Sequence, residues 1–428
     1  MKHLAFPAGP TREQLVDWYR SGRKHSHEVL SIPSPESYYE RPILLRNPIV
    51  FYEGHLPAFA VNTLIKLALK RDGIDEQYEE LFARGIDPDS PDAAKSPTDV
   101  WPSRENVRAY GTRADAMIED ALFHARIEDD DVPQLRGAEA AIGILEHEQM
   151  HQETLLYMLH ELPYEKKIAR APLNAREERI EPSPRVSDAD DAVAIAAGRA
   201  TLGAARGEFG WDNEFPQHAV DVDPFTIDRH NVTNGQYLDF MSATGAAPPH
   251  FWLARDGEWF WRGMFAVTPL QRDAPVYATH DEASAYAAWR GKRLPTEAEY
   301  HRAAFGTPEG NERLYPWGDE PPDGSRGNFD FTKWDPVPVG SYPDGASAWG
   351  VHDLVGNGWE WTSTIFDGFN GFVPMSSYPV YSSDFFDGKH YVMKGASPAT
   401  AKELVRRSFR NWFRPNYPYV YATFRCVD

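Results

Sequence analysis

After Asn47-Pro48 the chain reads IVFYEGHLPAFAVNTLIKLALKR, with apolar residues at most of about twenty positions, which predicts a helix. Asn47 suits the N-cap and Pro48 the first helical position, and Pro57 is expected to kink the helix two residues after His55. WPSRENVRAYGTRADAMIEDALFHARI opens with Ser103 as a cap and continues with helical spacing. GAEAAIGILEHEQMHQETLLYMLHEL is a third helix, apolar at Ile142, Leu145, Leu155, Leu156 and Leu159. With the segment from Thr11 to Leu30, which begins TREQLVDWYR, there are four helices, enough for a bundle.

This pattern stops at residues 170 to 192, RAPLNAREERIEPSPRVSDADDA, whose Pro, Ser and charge have the composition of a surface linker. Beyond it, Gly, Pro, Trp and Asn crowd short elements such as FGWDNEFPQH, LYPWGDEPPDG and WGVHDLVGNGWEWTST. Eleven of the thirteen tryptophans follow residue 200, so aromatic packing and loops are expected to hold this half together. No internal repeat is visible.

Composition narrows the class. A chain of 428 residues, 42% hydrophobic, 25% charged and 13% aromatic, is a globular mixture long enough for two or three domains. No apolar run approaches the roughly eighteen residues of a membrane span, and MKHLAFPAGPTREQ lacks the apolar stretch of a secretory signal. The single cysteine, Cys426, excludes an internal disulfide and fits a reducing compartment, so a cytoplasmic location is expected. It also leaves histidine and carboxylate as the ligands for any metal. A net charge of -20 argues against a nucleic-acid partner.

The chemistry centres on His147-Glu148-Gln149-Met150-His151-Gln152-Glu153. Its first five residues satisfy the H-E-x-x-H pattern of zinc proteases, with Glu148 as general base. They equally satisfy H-x-x-x-H-x-E, with Glu148 reduced to a surface residue. On a helix, histidines four apart project from one face about 6 Å from each other. The metzincin extension is absent, because residues 154 and 157 are Thr and Tyr, and Glu148 points away from the histidine face. A downstream glutamate ligand stays open, with Glu177 and Glu178 as candidates, but both sit in the linker. His55 interrupts an otherwise apolar helix, where a lone imidazole is expensive to bury. Three histidines on facing helices can cap one face of a metal, much as two histidines and a carboxylate do in non-haem iron(II) oxygenases. Glu153 then serves as a supporting or helix-contact residue.

The stretches GKRLPTEAEYHRAAFG, LYPWGDEPP, GNFD, PVPVGSYPDGASAWGVHDLVGNGWEWTST and TFRCV resemble the formylglycine-generating-enzyme domain. Formylglycine formation is not expected, since those enzymes use a cysteine pair and only Cys426 is present. FYEGH at 51 to 55 with H-x-x-x-H-x-E at 147 to 153 resembles a DinB-like bundle. Together they resemble the sulfoxide synthases of ergothioneine and ovothiol biosynthesis and the related selenoneine synthases. The resemblance implies two domains: an all-α DinB-like four-helix bundle over residues 1–180, and an α+β C-type-lectin-like domain over residues 190–428.

It also implies Fe(II) on His55, His147 and His151, with O2 as co-substrate. Hercynine would receive sulfur or selenium on its imidazole carbon from cysteine, γ-glutamylcysteine or a selenosugar. An ovothiol-type 5-histidylcysteine sulfoxide synthase is the alternative within the family, and a zinc protease through HEQMH the alternative outside it. Trp412 matches an aromatic that contacts substrate in relatives, and Asn411 and Phe413 flank it. Some relatives follow this Trp with Asp, where Phe413 stands here; Gly395-Ala396-Ser397-Pro398 replaces a Gly-Gly-Ser-Trp, and Met150 replaces a Gln. Tyr417, Tyr419 and Tyr421 are candidates to complete an aromatic cage or to donate a proton, and Arg104 and Arg113 to clamp a donor carboxylate. No methyltransferase segment is recognisable, so a separate methyltransferase is expected to supply the methylated histidine.

Overall fold

The computed structural model describes residues 9–83, 101–175 and 191–428. The chain divides into two compact units. The first is Met1–Ala171 together with Gly207–Phe209 and Met375–Pro379; the second is Pro172–Arg206, Gly210–Pro374 and Val380–Asp428. Most of the expected linker, residues 176–190, lies outside the described residues.

The first unit is helical: α1 (Arg12–Val29), α2 (Ile49–Ala60), α3 (Glu76–Leu81), α4 (Arg104–His124) and α5 (Glu139–His160). Its caps are largely those the sequence announces. Thr11 and Gln14 form a reciprocal capping box on α1, and the Ser103 hydroxyl accepts from the Asn106 N–H on α4. The start of α2 differs from expectation, because Pro48 rather than Asn47 is the cap and no side chain caps it. The first N–H groups, of Ile49 and Val50, donate instead to the carbonyls of Glu40 and Tyr38 at 3.0 and 3.1 Å, so the preceding loop replaces a cap. The helix runs through Pro57 to Ala60 and then widens into a π-helical stretch, Val61–Ala68.

All twelve residues of α2 are buried, so it is wrapped by neighbours on every side. It packs on α4 and α5, which also flank α1. Buried charges lock these contacts. Glu53 of α2 accepts from Arg104 and Arg108 of α4 at 3.2 and 2.9 Å. Arg23 of α1 spans Asp115 of α4 and Glu148 of α5 at 2.8 and 2.9 Å.

The second unit has short strands and helices: β1 (Ala192–Ile195), β2 (Gly198–Leu202), β3 (His218–Val222), β4 (Phe225–Asp228), α6 (Asn234–Thr244), β5 (Trp252–Arg255), β6 (Glu258–Arg262), β7 (Val267–Pro269), α7 (His280–Trp289), α8 (Glu297–Phe305), β8 (Gly358–Ile365), β9 (Tyr391–Ala396), β10 (Asn411–Phe413) and β11 (Ala422–Thr423). The largest sheet among the described residues has the order β10-β9-β8-β11, antiparallel except for the parallel pair of β11 with β8. Alternation along β8 turns Trp359 and Trp361 to one face and Glu360 to the other. There Glu360 takes two hydrogen bonds from Arg425, at 2.7 and 2.8 Å, both side chains fully buried. Among the described residues, no helix is long and apolar enough to cross a membrane.

Asp353 is held in this unit at φ 54, buried, accepting from the Gly340 N–H at 2.6 Å. Burial pushes its carboxyl up to about 6, against the pull of that hydrogen bond and of Arg425. Its folded-state value therefore exceeds the ordinary aspartate value, so its contribution to stability is present at low pH and is lost as pH rises from about 4 through about 6. Asp353→Asn keeps the acceptor and tolerates the left-handed backbone. It is expected to be more stable than the parent by roughly 2–3 kcal/mol at pH 7, with the gain vanishing near pH 4, as read by urea unfolding at both pH values.

Candidate metal centre

His147 and His151 lie one helical turn apart on α5, and His55 faces them from α2. One nitrogen from each ring falls within 4.8 Å of the other two; among the described residues this is the one group of three or more His, Cys, Asp or Glu so placed. Ring centroids stand 4.4 to 5.1 Å apart with interplanar angles of 61 to 80°, so the rings meet edge-on rather than stacking face to face. Edges carry the nitrogen lone pairs, and that arrangement suits convergence on one ion.

The environment keeps these imidazoles in their ligand form. Burial pulls His55 down to about 4, although its bond to the Phe82 carbonyl opposes this. Burial likewise drives His147 and His151 well below the ordinary histidine range, and the neighbouring imidazoles add to the effect. Neutral imidazole is the state that binds metal. The His55 Nδ1 lies 2.8 Å from the Phe82 carbonyl oxygen. A carbonyl only accepts, so Nδ1 carries the proton and Nε2 is left with its lone pair. The Nδ1 of His151 is buried without a hydrogen-bond partner among the described residues. Three neutral, convergent nitrogen donors fit a borderline divalent ion such as Fe(II).

Aromatic rings surround the trio. Phe59 stacks on His147 with centroids 3.5 Å apart and planes at 11°, and Phe51 stacks on His55 at 5.0 Å. Tyr52 lies 5.7 Å from His151. Tyr378, from the distant segment Met375–Pro379, stands edge-on to His147 at 6.2 Å and to Phe59 at 5.1 Å. Periodicity could not have found Tyr378, because a loop more than two hundred residues downstream brings it there.

Glu148 is not the surface residue that the H-x-x-x-H-x-E template allows. It is buried and accepts from Arg23 at 2.9 Å and from the Ser26 hydroxyl, both on α1. As expected, it faces away from the histidines, and the reason is now visible: it is the counter-ion of a buried arginine. Arg104 donates to Glu53 at 3.2 Å and to the Leu30 carbonyl at 2.5 Å, with its guanidinium over Tyr38, which makes it a tie between helices. Arg113 is exposed, 3.7 Å from Asp75.

In the second unit, Trp412 on β10 stacks on Phe366 at 4.2 Å and meets Tyr381 and Phe385 at 5.4 and 5.5 Å. Strand alternation turns Asn411 and Phe413 to the opposite face. Phe413 stacks on Tyr417, which abuts Tyr419, and Tyr421 is buried against Phe251 and Tyr277. The Asn411 Oδ1 accepts from the Trp412 N–H at 2.9 Å. The rings seen around Trp412 thus include Tyr381, which the sequence did not single out.

One substitution tests how His55 is held. A Cβ on Gly54 would stand 2.5 Å from the ring of Phe82, a fully buried side chain. Helix propensity alone predicts that Gly54→Ala stabilises by up to about 1 kcal/mol. Displacement of Phe82, and with it the carbonyl on His55, is expected to prevail. Iron or zinc affinity should fall about 10–100-fold in a chelator competition, and an unchanged affinity would show that the carbonyl does not orient the ring.

Residues 176–428 match the sulfatase-modifying factor enzyme 1-like domain, whose fold is of C-type-lectin type. The hercynine oxygenase of Mycolicibacterium thermoresistibile is 33% identical over 82% of this chain and 84% of its own length. That of Mycobacterium tuberculosis is 40% identical over 50% of this chain and 55% of its own length. Ergothioneine biosynthesis protein 1 of Schizosaccharomyces pombe is 31% identical over 99% of this chain, which spans 57% of that longer protein. The chain belongs to the family of hercynine oxygenases and ergothioneine biosynthesis proteins, built on a sulfatase-modifying factor enzyme 1-like domain that follows a helical region.

Proposed function

We propose that this chain is a non-haem iron(II), O2-dependent synthase that forms a C–S or C–Se bond on the imidazole ring of hercynine. The observation that carries this reading is the convergence of three buried, neutral imidazoles, in a chain whose relatives are named for hercynine and ergothioneine. The helical unit is then a DinB-like bundle, and His55, His147 and His151 are the ligands. Iron held by these three imidazoles would supply the redox chemistry that couples O2 to oxidation of the thiol or selenosugar donor.

The chain's own residues supply orientation and exclusion of water. The Phe82 carbonyl fixes the tautomer of His55. Phe59 and Phe51 cover the faces of two ligands, which keeps bulk water from the trio and lowers the local dielectric. Tyr378 stands edge-on to His147 and is the residue we assign to hold or give a proton there. The Trp412, Phe366, Tyr381 and Phe385 rings form an aromatic corner suited to a trimethylammonium through cation–π attraction. A separate methyltransferase provides the methylated substrate.

The full chain, loaded anaerobically with iron(II), is expected to consume O2 and give a product of the combined mass when mixed with hercynine and one of cysteine, γ-glutamylcysteine or a selenosugar. Unmethylated histidine in place of hercynine tests the ovothiol-type alternative. His55→Ala should lower iron affinity by more than about 100-fold and abolish product. Iron held undiminished by that variant, or no O2 uptake with any donor, would sink the proposal.

The Glu148 contacts favour the synthase reading over a zinc protease. Glu148→Ala leaves Arg23 buried with one of its two carboxylate partners and is expected to cost about 3 kcal/mol in urea unfolding, while iron content stays near that of the parent. A protease base would give the reverse: unchanged stability and loss of a peptidase activity.

A further inference from the structure

Glu139, the first residue of α5, lies two turns before His147 and takes no part in the trio. Its carboxylate Oε1 accepts from the backbone N–H of Ser377 at 2.8 Å, a partner 238 residues away along the chain. The Ser377 hydroxyl and the Ser376 N–H also turn toward this carboxylate. Ser377 and Met375 are buried, and the next residue, Tyr378, meets Phe59 and His147. One short strap therefore joins a carboxylate at the head of α5 to a phenol beside a histidine two turns further along the same helix.

The backbone ahead of Glu139 is unusual. Gly137 and Ala138 are both left-handed, at φ 59 and 57, so a tight turn delivers the chain into α5. For Ala138 that conformation costs roughly 1–2 kcal/mol, and it sets the direction in which Glu139 leaves the turn. A carboxylate in the first turn of a helix is also favoured by the exposed N–H groups there. The hydrogen bond to the strap is charge-assisted and half-buried, the kind that holds a loop with little slack.

We propose that Glu139 is a positioning residue that seats the strap Met375–Pro379 through the Ser377 N–H, and so fixes Tyr378 against His147. Its consequence for turnover rests on the synthase reading given above; the tether itself does not.

The test compares the full chain with Glu139→Ala, Glu139→Gln and Ser377→Pro, the last of which removes the donor without touching α5. Amide exchange is followed in peptides covering 375–379, alongside iron content and steady-state turnover of hercynine. In Glu139→Ala, exchange at the strap should speed at least about ten-fold while iron content is unchanged. The kcat should fall about 10–100-fold with little change in KM. Ser377→Pro should reproduce the loss of kcat, and Glu139→Gln, which retains an acceptor oxygen, should recover most of it. Unchanged strap exchange in Glu139→Ala overturns the proposal whatever happens to turnover, and so does a loosened strap with full turnover. If the parent chain turns over no hercynine with any donor, the synthase reading fails, while exchange at the strap still decides whether the tether exists.

Discussion

Three imidazoles sharing a water-poor space must remain uncharged, because a proton on one would face both others without solvent to screen it. Much of the helical unit meets that constraint. A helix buried on all sides carries His55, and its one carboxylate, Glu53, is neutralised by two arginines of α4. The same economy of charge holds on α5, where Glu148 is turned to Arg23 rather than toward the trio. Glu53 and Glu148, each next to a histidine of the trio or two residues from it, are thus paired with arginines of other helices, an arrangement that spares the imidazoles a facing carboxylate.

The second unit solves a different problem. Its strands are short, so backbone pairing alone defines few of its loops, and buried ion pairs do much of the rest. Arg406 meets Glu214 at 2.5 Å, Ser408 donates to the same carboxylate at 2.6 Å, and Arg410 meets Glu297 at 3.0 Å. Lys394, fully buried, donates to the Arg407 and Phe409 carbonyls, and burial pulls its amine down to about 8. These contacts pin residues 406–410 immediately before Trp412. Arg410 also lies over the Phe366 ring at 5.1 Å, the ring on which Trp412 stacks. The ring on which Trp412 stacks is thus itself in contact with the buried charge network.

What the sequence disclosed follows the range of the interactions involved. Local rules were readable: the Thr11 and Ser103 caps, the apolar spacing of α5, and the His147–His151 pair at four residues. His55 was legible because an imidazole in an apolar helix demands an explanation. Asn47 misled because the N–H groups of Ile49 and Val50 found carbonyls in the preceding loop, a tertiary solution that no capping rule anticipates. Tyr378, Tyr381 and Glu139 were missed for the same reason: each acquires its role from a partner distant in the chain. Arg104, read from the sequence as a candidate to clamp a donor carboxylate, donates to Glu53 of α2 and to the Leu30 carbonyl, partners that local sequence rules do not announce.

The pentapeptide His147-Glu148-Gln149-Met150-His151 shows why a motif on one helix underdetermines chemistry. The helix fixes the spacing of the histidines and the side on which the glutamate emerges. It does not fix what waits on that side. In a zinc protease the glutamate must face water beside the metal. Here α1 presents Arg23 and Ser26 to it, and the carboxylate is consumed in holding two helices together. A third imidazole, from α2, joins the pair, with one ligand nitrogen of each ring within 4.8 Å of the others. What surrounds the same five letters is therefore decided by two neighbouring helices, through one arginine that engages the glutamate and one histidine that joins the pair.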